Sequence, residues 1–205
     1  MNDMQSCIGK KSRHPFGRSG IVLSGGSSKR LGVDKGLRLL AGKPLVNHVI
    51  DSIRAHVDEV IVVVSSEEQK QQYEGVVDVV ETDIYPNGSP LIGLLTGLSY
   101  CKSKYAFVVA CDMPFICEEA VEMLFKKAKG HDGAVFVKPN GWIEPLSAVY
   151  NVATSLKVAE RLYREDDLRV RMIFLSLDDV SMIPVGQLRS VDPELCTFFD
   201  TDTNK

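Results

Sequence analysis

The chain reads IVLSGGSSKRLGVDK at residues 21–35, where a short apolar run passes into a glycine-rich, basic segment. The run Ile21–Ser24 shows little polar alternation, which is typical of a strand covered on both faces of a parallel sheet. Gly25 and Gly26 follow it directly and allow a sharp turn that brings backbone N–H groups against a phosphate. The stretch therefore predicts a leading strand followed by a phosphate-binding loop.

The second half of the stretch supplies cations for an anionic ligand. Arg30 carries a planar guanidinium that can hold two phosphate oxygens, and Lys35 carries a mobile point charge. The glycine spacing matches neither G-x-x-x-x-G-K-[ST] nor G-x-G-x-x-G, so neither a Walker loop nor a Rossmann dinucleotide fingerprint is present. The segment favours a nucleotide-phosphate site of another type.

Short apolar runs alternate with helical patterns along the rest of the chain. The runs predict strands at Ile21–Ser24, Glu59–Val64, Val76–Val80, Tyr105–Ala110, Gly133–Val137, Leu146–Tyr150 and Ser181–Val185. Helical spacing predicts one helix opened by Pro44 and others at Pro90–Lys102, Glu118–Lys129 and Val152–Arg164. This alternation indicates a single α/β domain with three layers, α/β/α, and a mostly parallel sheet. We expect this domain to span residues 19–205, residues 1–18 to form a disordered tail, and the ligand to bind beyond the carboxyl ends of the strands.

Composition narrows the class of protein further. The chain has 205 residues, enough for one well-buried core, and its formal net charge of −3 gives no case for a general nucleic-acid binder. No apolar run approaches the ~18 residues of a membrane span. The five cysteines form no C-x-x-C pair. We therefore expect buried free thiols in a reducing compartment, and a cytoplasmic protein without a membrane or nucleic-acid partner.

Asp112 directly follows the apolar run Tyr105–Ala110. A carboxylate at the carboxyl end of a strand, before a Met-Pro pair that prevents a helix from continuing, is well placed to hold Mg²⁺. This ion prefers one or two carboxylates together with phosphate oxygens and waters. The sequence therefore predicts a magnesium site at Asp112.

Residues 23–35 are similar to the L-x-G-G-x-S-x-R-[ML]-G-x-D-K signature of the molybdenum cofactor guanylyltransferases, the MobA family. Further segments resemble later motifs of that family: Gly42–Leu45, Ser89–Gly93, Ala110–Pro114, Glu144–Leu146 and Phe198–Thr203. Ser89 stands where the family often has glycine, and Asp200 and Asp202 stand where it usually has asparagines. The resemblance implies a nucleotide-diphospho-sugar-transferase-like fold, and transfer of GMP from GTP to the terminal phosphate of molybdopterin with release of pyrophosphate.

The same resemblance implies roles for individual residues. It directs Arg30 and Lys35 to the triphosphate as catalytic residues, and Asp112 to catalysis and Mg²⁺, with Asp200 and Asp202 as further metal ligands. The expected nucleotide contacts are Leu23, Ser24, Gly25, Gly26, Lys35, Asp83, Ser89, Pro90, Leu91 and Asp112. The residues themselves allow Asp83, or the backbone around Ser89–Leu91, to accept the N–H groups of guanine, while guanine itself is implied by the resemblance. The implied partners are GTP, molybdopterin or molybdenum cofactor, and proteins that deliver or receive the cofactor.

Other functions remain open from the sequence. A sister enzyme would act on a cobamide precursor or use CTP, and a non-catalytic module would bind GTP without turnover. An NAD(P)-dependent reductase lacks its fingerprint here. Arg169 and Arg171 either receive an anionic acceptor or form the polar face of a helix whose apolar side is Leu168, Met172 and Leu175.

Overall fold

The secondary structure follows the apolar runs of the sequence closely. The computed structural model of the protein describes residues 17–25, 34–77, 79–86 and 88–201. Its strands are β1 (Arg18–Leu23), β2 (Leu39–Leu40), β3 (Lys43–Pro44), β4 (Glu59–Val64), β5 (Val80–Thr82), β6 (Tyr105–Ala110), β7 (Gly133–Val137), β8 (Ile143–Asn151) and β9 (Val180–Pro184). Its α-helices are α1 (Leu45–Arg54), α2 (Glu67–Gln72), α3 (Pro90–Tyr100), α4 (Glu118–Ala128), α5 (Val152–Arg164) and α6 (Arg171–Ser176).

Seven of the described strands form one sheet, in the order β5-β4-β1-β6-β8-β7-β9. The strands β5, β4, β1 and β6 run parallel to one another, and β7 runs parallel to β9. Strand β8 is antiparallel to both of its neighbours, β6 and β7. The mostly parallel sheet predicted from the sequence is therefore confirmed, and β8 is its antiparallel member.

Strand β1 shows why its sequence is apolar on both faces. Val22 packs into the cluster that contains the buried residues of α1 and α4 on one side of the sheet. Ile21 and Leu23 pack into the second cluster, with residues of α3, α5 and α6. Successive side chains of a strand point to opposite faces, so a strand between two helical layers needs apolar residues at every position. The predicted α/β/α layering is confirmed.

Helix α3 lies unusually close to β1, and Gly97 allows this approach. A Cβ atom at position 97 would lie 2.5 Å from Cγ2 of Ile21. The close packing fixes the N-terminus of α3 relative to the end of β1, where the predicted site lies.

Two predictions about the backbone need correction. The strand predicted at Val76–Val80 is wrong: Val76 and Val77 donate their N–H groups back to the carbonyl of Tyr73 in a turn, and β5 begins at Val80. Arg18, assigned to the tail, is the first residue of β1, where it pairs with Tyr105 of β6, and its guanidinium binds Glu122 at 2.7 Å. The rest of the predicted tail, residues 1–16, lies outside the described residues.

The cysteines are only partly buried, contrary to the prediction. Cys111 is buried, Cys101 and Cys117 are intermediate, and Cys196 is exposed. All four are free thiols, and Cys7 lies outside the described chain. None of the helices in the described ranges combines the length and the apolarity needed to cross a bilayer.

Candidate active site

The carboxyl ends of β1 and β6 lie side by side, because Leu23 pairs with Ala110 in the parallel register. Backbone hydrogen bonds fix the first residue after each strand. The N–H of Ser24 donates to the carbonyl of Val63 at 2.8 Å, and that of Cys111 donates to the carbonyl of Leu23 at 3.0 Å. A cavity of about 320 Å³ opens at this edge. It is lined by Leu23, Ser24, Gly25, Lys35, Pro90, Ala110, Cys111, Asp112, Leu146 and Asp200. The structure thus brings most of the predicted site residues to one cavity, at the place where α/β sheets bind ligands.

Lys35 and Asp112 form an ion pair within this cavity. The Nζ atom of Lys35 donates to Oδ2 of Asp112 at 2.5 Å, and their side chains are 24% and 11% exposed. The loop after β6 is held in place because the N–H of Thr201 donates to the backbone carbonyl of Asp112 at 3.0 Å. Partial burial lowers the local dielectric constant, so both charges act more strongly here than at an open surface.

Asp83 is a partly buried carboxylate at the end of β5. It follows β5 directly, and its N–H donates to the carbonyl of Val64 at 2.8 Å. Its Oδ1 atom is buried and has no hydrogen-bond partner within the described chain. Burial raises the pKa of Asp83 to about 6. A buried acceptor without a donor is costly, so a ligand that supplies an N–H group there would relieve this cost.

Two glycines leave room around that carboxylate. Cβ atoms at Gly88 and Gly93 would lie 3.4 Å and 3.5 Å from the Asp83 carboxylate oxygens. Gly93 belongs to the first turn of α3, so the carboxylate lies beside the N-terminal end of that helix. Gly93 was identified from the sequence only as part of the motif Ser89–Gly93. The structure shows that it lies beside Asp83.

The three residues predicted at the N-terminus of α3, which are Ser89, Pro90 and Leu91, differ in what their side chains contact. The hydroxyl of Ser89 caps the helix by accepting the N–H of Ile92 at 3.2 Å, and Pro90 lines the cavity. The side chain of Leu91 is fully buried in the core, so the expected contact of Leu91 with a nucleotide falls to its backbone.

Glu144 belongs to the same acidic region, although sequence reasoning did not assign it to the site. Burial raises the pKa of Glu144, the N–H of Leu146 and the charge of Lys138 lower it, and Asp200 and Asp112 raise it again. Glu144 lies on the antiparallel strand β8, so the rule about carboxyl ends of parallel strands does not find it. Its only sequence signal was the Glu-Pro motif of the resemblance. Within the described ranges no three His, Cys, Asp or Glu side chains converge as a ready-made metal cluster.

Some predicted residues fall elsewhere. Gly26, Arg30 and Asp202 lie outside the described residues. Arg169 is bound to Asp167, with nitrogen–oxygen distances of 2.8 Å and 2.7 Å, and Arg171 lies 5.9 Å from the ring centroid of Trp142. Neither arginine lines the cavity. The alternative, an apolar side made of Leu168, Met172 and Leu175, is confirmed for the first two, which pack against the core, and is wrong for Leu175, which is 59% exposed.

Comparison with known proteins agrees with this geometry. Residues 20–180 match the MobA-like NTP transferase domain. The chain is 35% identical to a probable molybdenum cofactor guanylyltransferase of Natronomonas pharaonis over 184 residues, which cover 85% of this chain and 91% of the relative. It is 30% identical to the molybdenum cofactor guanylyltransferase of Desulfosudis oleivorans over 188 residues, 91% of each protein.

A solved structure extends the similarity to three dimensions. The crystal structure of molybdopterin-guanine dinucleotide biosynthesis protein A from Archaeoglobus fulgidus superposes with a TM-score of 0.78 at 26% identity, covering 91% of this chain and 93% of that one. The family match takes in β1 through the start of β9, and so every strand that borders the cavity. The chain therefore belongs to the family of MobA-like NTP transferase domains.

Proposed function

We propose that this nucleotidyltransferase transfers GMP from GTP to the terminal phosphate of molybdopterin, releasing pyrophosphate and forming the guanine dinucleotide cofactor. The observation that carries the proposal is the Lys35–Asp112 pair in the cavity at the end of β1, in a chain whose relatives are named guanylyltransferases. Proteins that deliver the acceptor or receive the product are further proposed partners.

The chain needs to position charge rather than to supply a base. The terminal phosphate of the acceptor is already a nucleophile at neutral pH, so catalysis rests on alignment and on neutralising the developing charge. In this proposal the ammonium of Lys35 faces the oxygens of the departing pyrophosphate, and the backbone at Ser24 and Gly25 faces the phosphates. Arg30 and Gly26, proposed from the sequence, complete this half of the site.

The donor set of the cavity fits Mg²⁺. Asp112 and Asp200 both line it, and a pair of carboxylates suits an ion that takes its remaining ligands from phosphates and waters. When bound, Mg²⁺ would neutralise phosphate charge and polarise the phosphorus that is attacked. Asp112 would be its principal ligand, with Asp200 and Asp202 in support.

The carboxylate of Asp83 favours binding of guanine over the other three bases. Guanine presents two neighbouring donors, N1–H and the N2 amine, to the two oxygens of an ionised carboxylate, whereas cytosine and adenine each offer one amine beside an acceptor. The buried Oδ1 of Asp83 needs such a donor. This match favours GTP over CTP, the substrate of a cytidylyltransferase.

The test measures pyrophosphate release with purified protein, Mg²⁺ and molybdopterin, using GTP, CTP, ATP and UTP in turn. We expect turnover with GTP and formation of a guanine dinucleotide product. Turnover with CTP would assign a cytidylyltransferase, and turnover only with a cobamide precursor as acceptor would assign that sister enzyme. GTP binding with no pyrophosphate release from any acceptor would leave a binding module and refute the proposal.

A further inference from the structure

A buried chain of hydroxyl groups joins the two ends of the phosphate loop. Ser24, at its start, is hydrogen-bonded through Oγ to the hydroxyl of Tyr73, which donates to Oδ1 of Asp34 at the other end. Tyr73 is fully buried, and Ser24 is only 3% exposed. Tyr73 follows α2 directly, so it reaches the loop from a separate element.

The direction of these bonds follows from the single proton of the Tyr73 hydroxyl. Burial raises the pKa of this hydroxyl well above its usual value of 10, so the group keeps its proton. That proton is donated to Oδ1 of Asp34. Ser24 therefore donates to Tyr73, and the chain runs from Ser24 through Tyr73 to Asp34.

Gln69 makes a second bridge between the same two ends. Its amide nitrogen donates to the carbonyl of Ser24 at 2.6 Å and to Oδ2 of Asp34. Its amide oxygen accepts the N–H of Ser65 at 2.8 Å, which ties the bridge to the end of β4. Two side chains from the α2 region thus contact both Ser24 and Asp34.

These bridges bear directly on Lys35. Asp34 also accepts the N–H of Gly36 at 2.9 Å, and the carbonyl of Gly36 accepts the N–H of Val46 at 2.9 Å. Lys35 is the residue between these two fixed neighbours. Position 36 must be glycine, because a Cβ there would collide with Ser24 Oγ and Tyr73 OH.

We infer that Tyr73 and Gln69 are positioning residues for the nucleotide phosphates: they hold Ser24 and Asp34 together and so fix the backbone that presents Lys35 to its ligand. The inference rests on the proposed function for the identity of the nucleotide, but not for the presence of a phosphate site. Neither residue touches the reacting atoms. We expect their effect in the phosphate half of the site, since the hydrogen bonds of Tyr73 and Gln69 within the described chain do not reach Asp83 or Ser89.

The variants Tyr73→Phe and Gln69→Ala test this role, with Tyr105→Phe as the matched control. Tyr105 is also a buried tyrosine, and its hydroxyl accepts the N–H of Gly130 at 3.0 Å. It is the first residue of β6, so it lies at the end of that strand opposite the cavity. All three variants lose side-chain hydrogen bonds, and we expect comparable losses of melting temperature in the two tyrosine variants.

The decisive measurement is calorimetric binding of two probes in the presence of Mg²⁺: inorganic tripolyphosphate for the phosphate half and guanosine for the base half. We expect the Kd of tripolyphosphate to rise about tenfold in Tyr73→Phe and Gln69→Ala, and kcat/KM for GTP to fall about 10- to 100-fold, because small misplacements of a catalytic group are costly. Guanosine binding should be unchanged in both variants, and Tyr105→Phe should match the wild type with either probe.

Tripolyphosphate binding within twofold of wild type in both site variants would overturn the inference, as would an equal loss in Tyr105→Phe. If Tyr73→Phe fails to fold, the half-exposed Gln69→Ala decides the question alone. Wild-type protein that binds tripolyphosphate but releases no pyrophosphate from GTP would refute the proposed function and leave the inference standing. Wild-type protein that binds no tripolyphosphate would overturn the inference.

Discussion

Lys35 and Asp112 are 77 residues apart in sequence and 2.5 Å apart in space. Each was predicted separately, from the basic loop after β1 and from the polar end of β6. Because parallel neighbouring strands end at the same edge of the sheet, two independent local patterns converge on one cavity. Their contact with each other was not predicted, since nothing local in either segment refers to the other.

Lys35→Ala should lower kcat by about 10²–10³-fold, since it removes a preorganised charge from the point where negative charge builds up in the transition state. Steady-state kinetics with GTP varied at saturating acceptor measure this. Lys126, which is 73% exposed beside Glu122, provides the control: Lys126→Ala should have no effect, because exposed ion pairs contribute little. A Lys35→Ala turnover within a fewfold of wild type would contradict the role given to this residue.

Asp83→Asn should stabilise the ligand-free protein at pH 8 and weaken its binding of GTP. The pKa of Asp83 is raised from 3.8 to about 6, so the folded state binds a proton more tightly than the unfolded state. Wild-type stability therefore falls as pH rises from about 4 to above 6, where the buried carboxylate is charged, and the cost persists at higher pH. The amide variant does not ionise and escapes that cost.

Melting curves of wild type and Asp83→Asn at pH 8 and pH 4.5 check this prediction. The difference in Tm should favour the variant at pH 8 and shrink at pH 4.5. A difference that does not change with pH would mean that ionisation of Asp83 is not the cause.

The residues that the sequence did not reveal share one property: their roles depend on distant partners. Tyr73 lies 49 residues from Ser24 and 39 from Asp34, and an isolated tyrosine after a polar helix resembles any core residue. Glu144 lies on the antiparallel strand β8. The sequence pattern could predict the position of this strand but not its direction. Local patterns identified the residues that end strands, and only the tertiary structure identified those that support them.

At the scale of elements, long amphipathic or fully apolar segments were predicted well and short ones were not. The strands Glu59–Val64, Tyr105–Ala110 and Gly133–Val137 agree to the residue, and α3 begins at Pro90 as expected. Helix α2 was missed because its six residues, Glu67–Gln72, include none that is buried. Its place is set by the hydrogen bonds of Gln69 and by the buried Tyr73 that follows, neither of which produces a periodic pattern.

Gly97→Ala tests the close contact between α3 and β1. The new methyl group would lie 2.5 Å from Cγ2 of Ile21, a fully buried, β-branched side chain with little freedom to move. Overpacking costs about 1–3 kcal/mol, while the higher helix propensity of alanine returns up to about 1 kcal/mol. We expect a net loss of about 1–2 kcal/mol in the free energy of unfolding.

Denaturant unfolding measures this loss, with Gly186→Ala as the control. No atom lies within 4 Å of a Cβ at Gly186, so that substitution should change stability by no more than about 0.5 kcal/mol. Equal stabilities for the two variants would show that α3 can move away from β1 at no cost.

At the scale of the whole molecule, the sheet order collects ligand-binding groups from distant parts of the chain. Asp112 and Asp83 follow β6 and β5 at one edge of the sheet, Lys35 is paired with Asp112 there, and β8, running the other way, adds Glu144. The class of fold and this edge could be predicted from alternating patterns, because parallel strands with right-handed crossovers allow few arrangements. The insertion of β8 between β6 and β7 could not, since it depends on long-range pairing that leaves no local signal.

Binding at this edge should stabilise the entire domain, because a ligand that binds only the folded state shifts the unfolding equilibrium. At a concentration of 100 times Kd, GTP with Mg²⁺ should add about 2.7 kcal/mol, which raises Tm by about 5–10 °C in a protein of this size. ATP, CTP and UTP should raise it less, because they lack the paired donors that Asp83 requires. ITP, which keeps N1–H but lacks the N2 amine, should fall between GTP and ATP.

Asp112→Asn should retain part of the GTP effect but lose its dependence on Mg²⁺, since the variant amide is a poorer ligand for the ion than a carboxylate. Thermal melts of wild type and Asp112→Asn, each with and without EDTA, measure both effects. Equal shifts from all four common nucleotides would remove guanine selectivity, and an EDTA-sensitive shift in Asp112→Asn would place the metal on other residues.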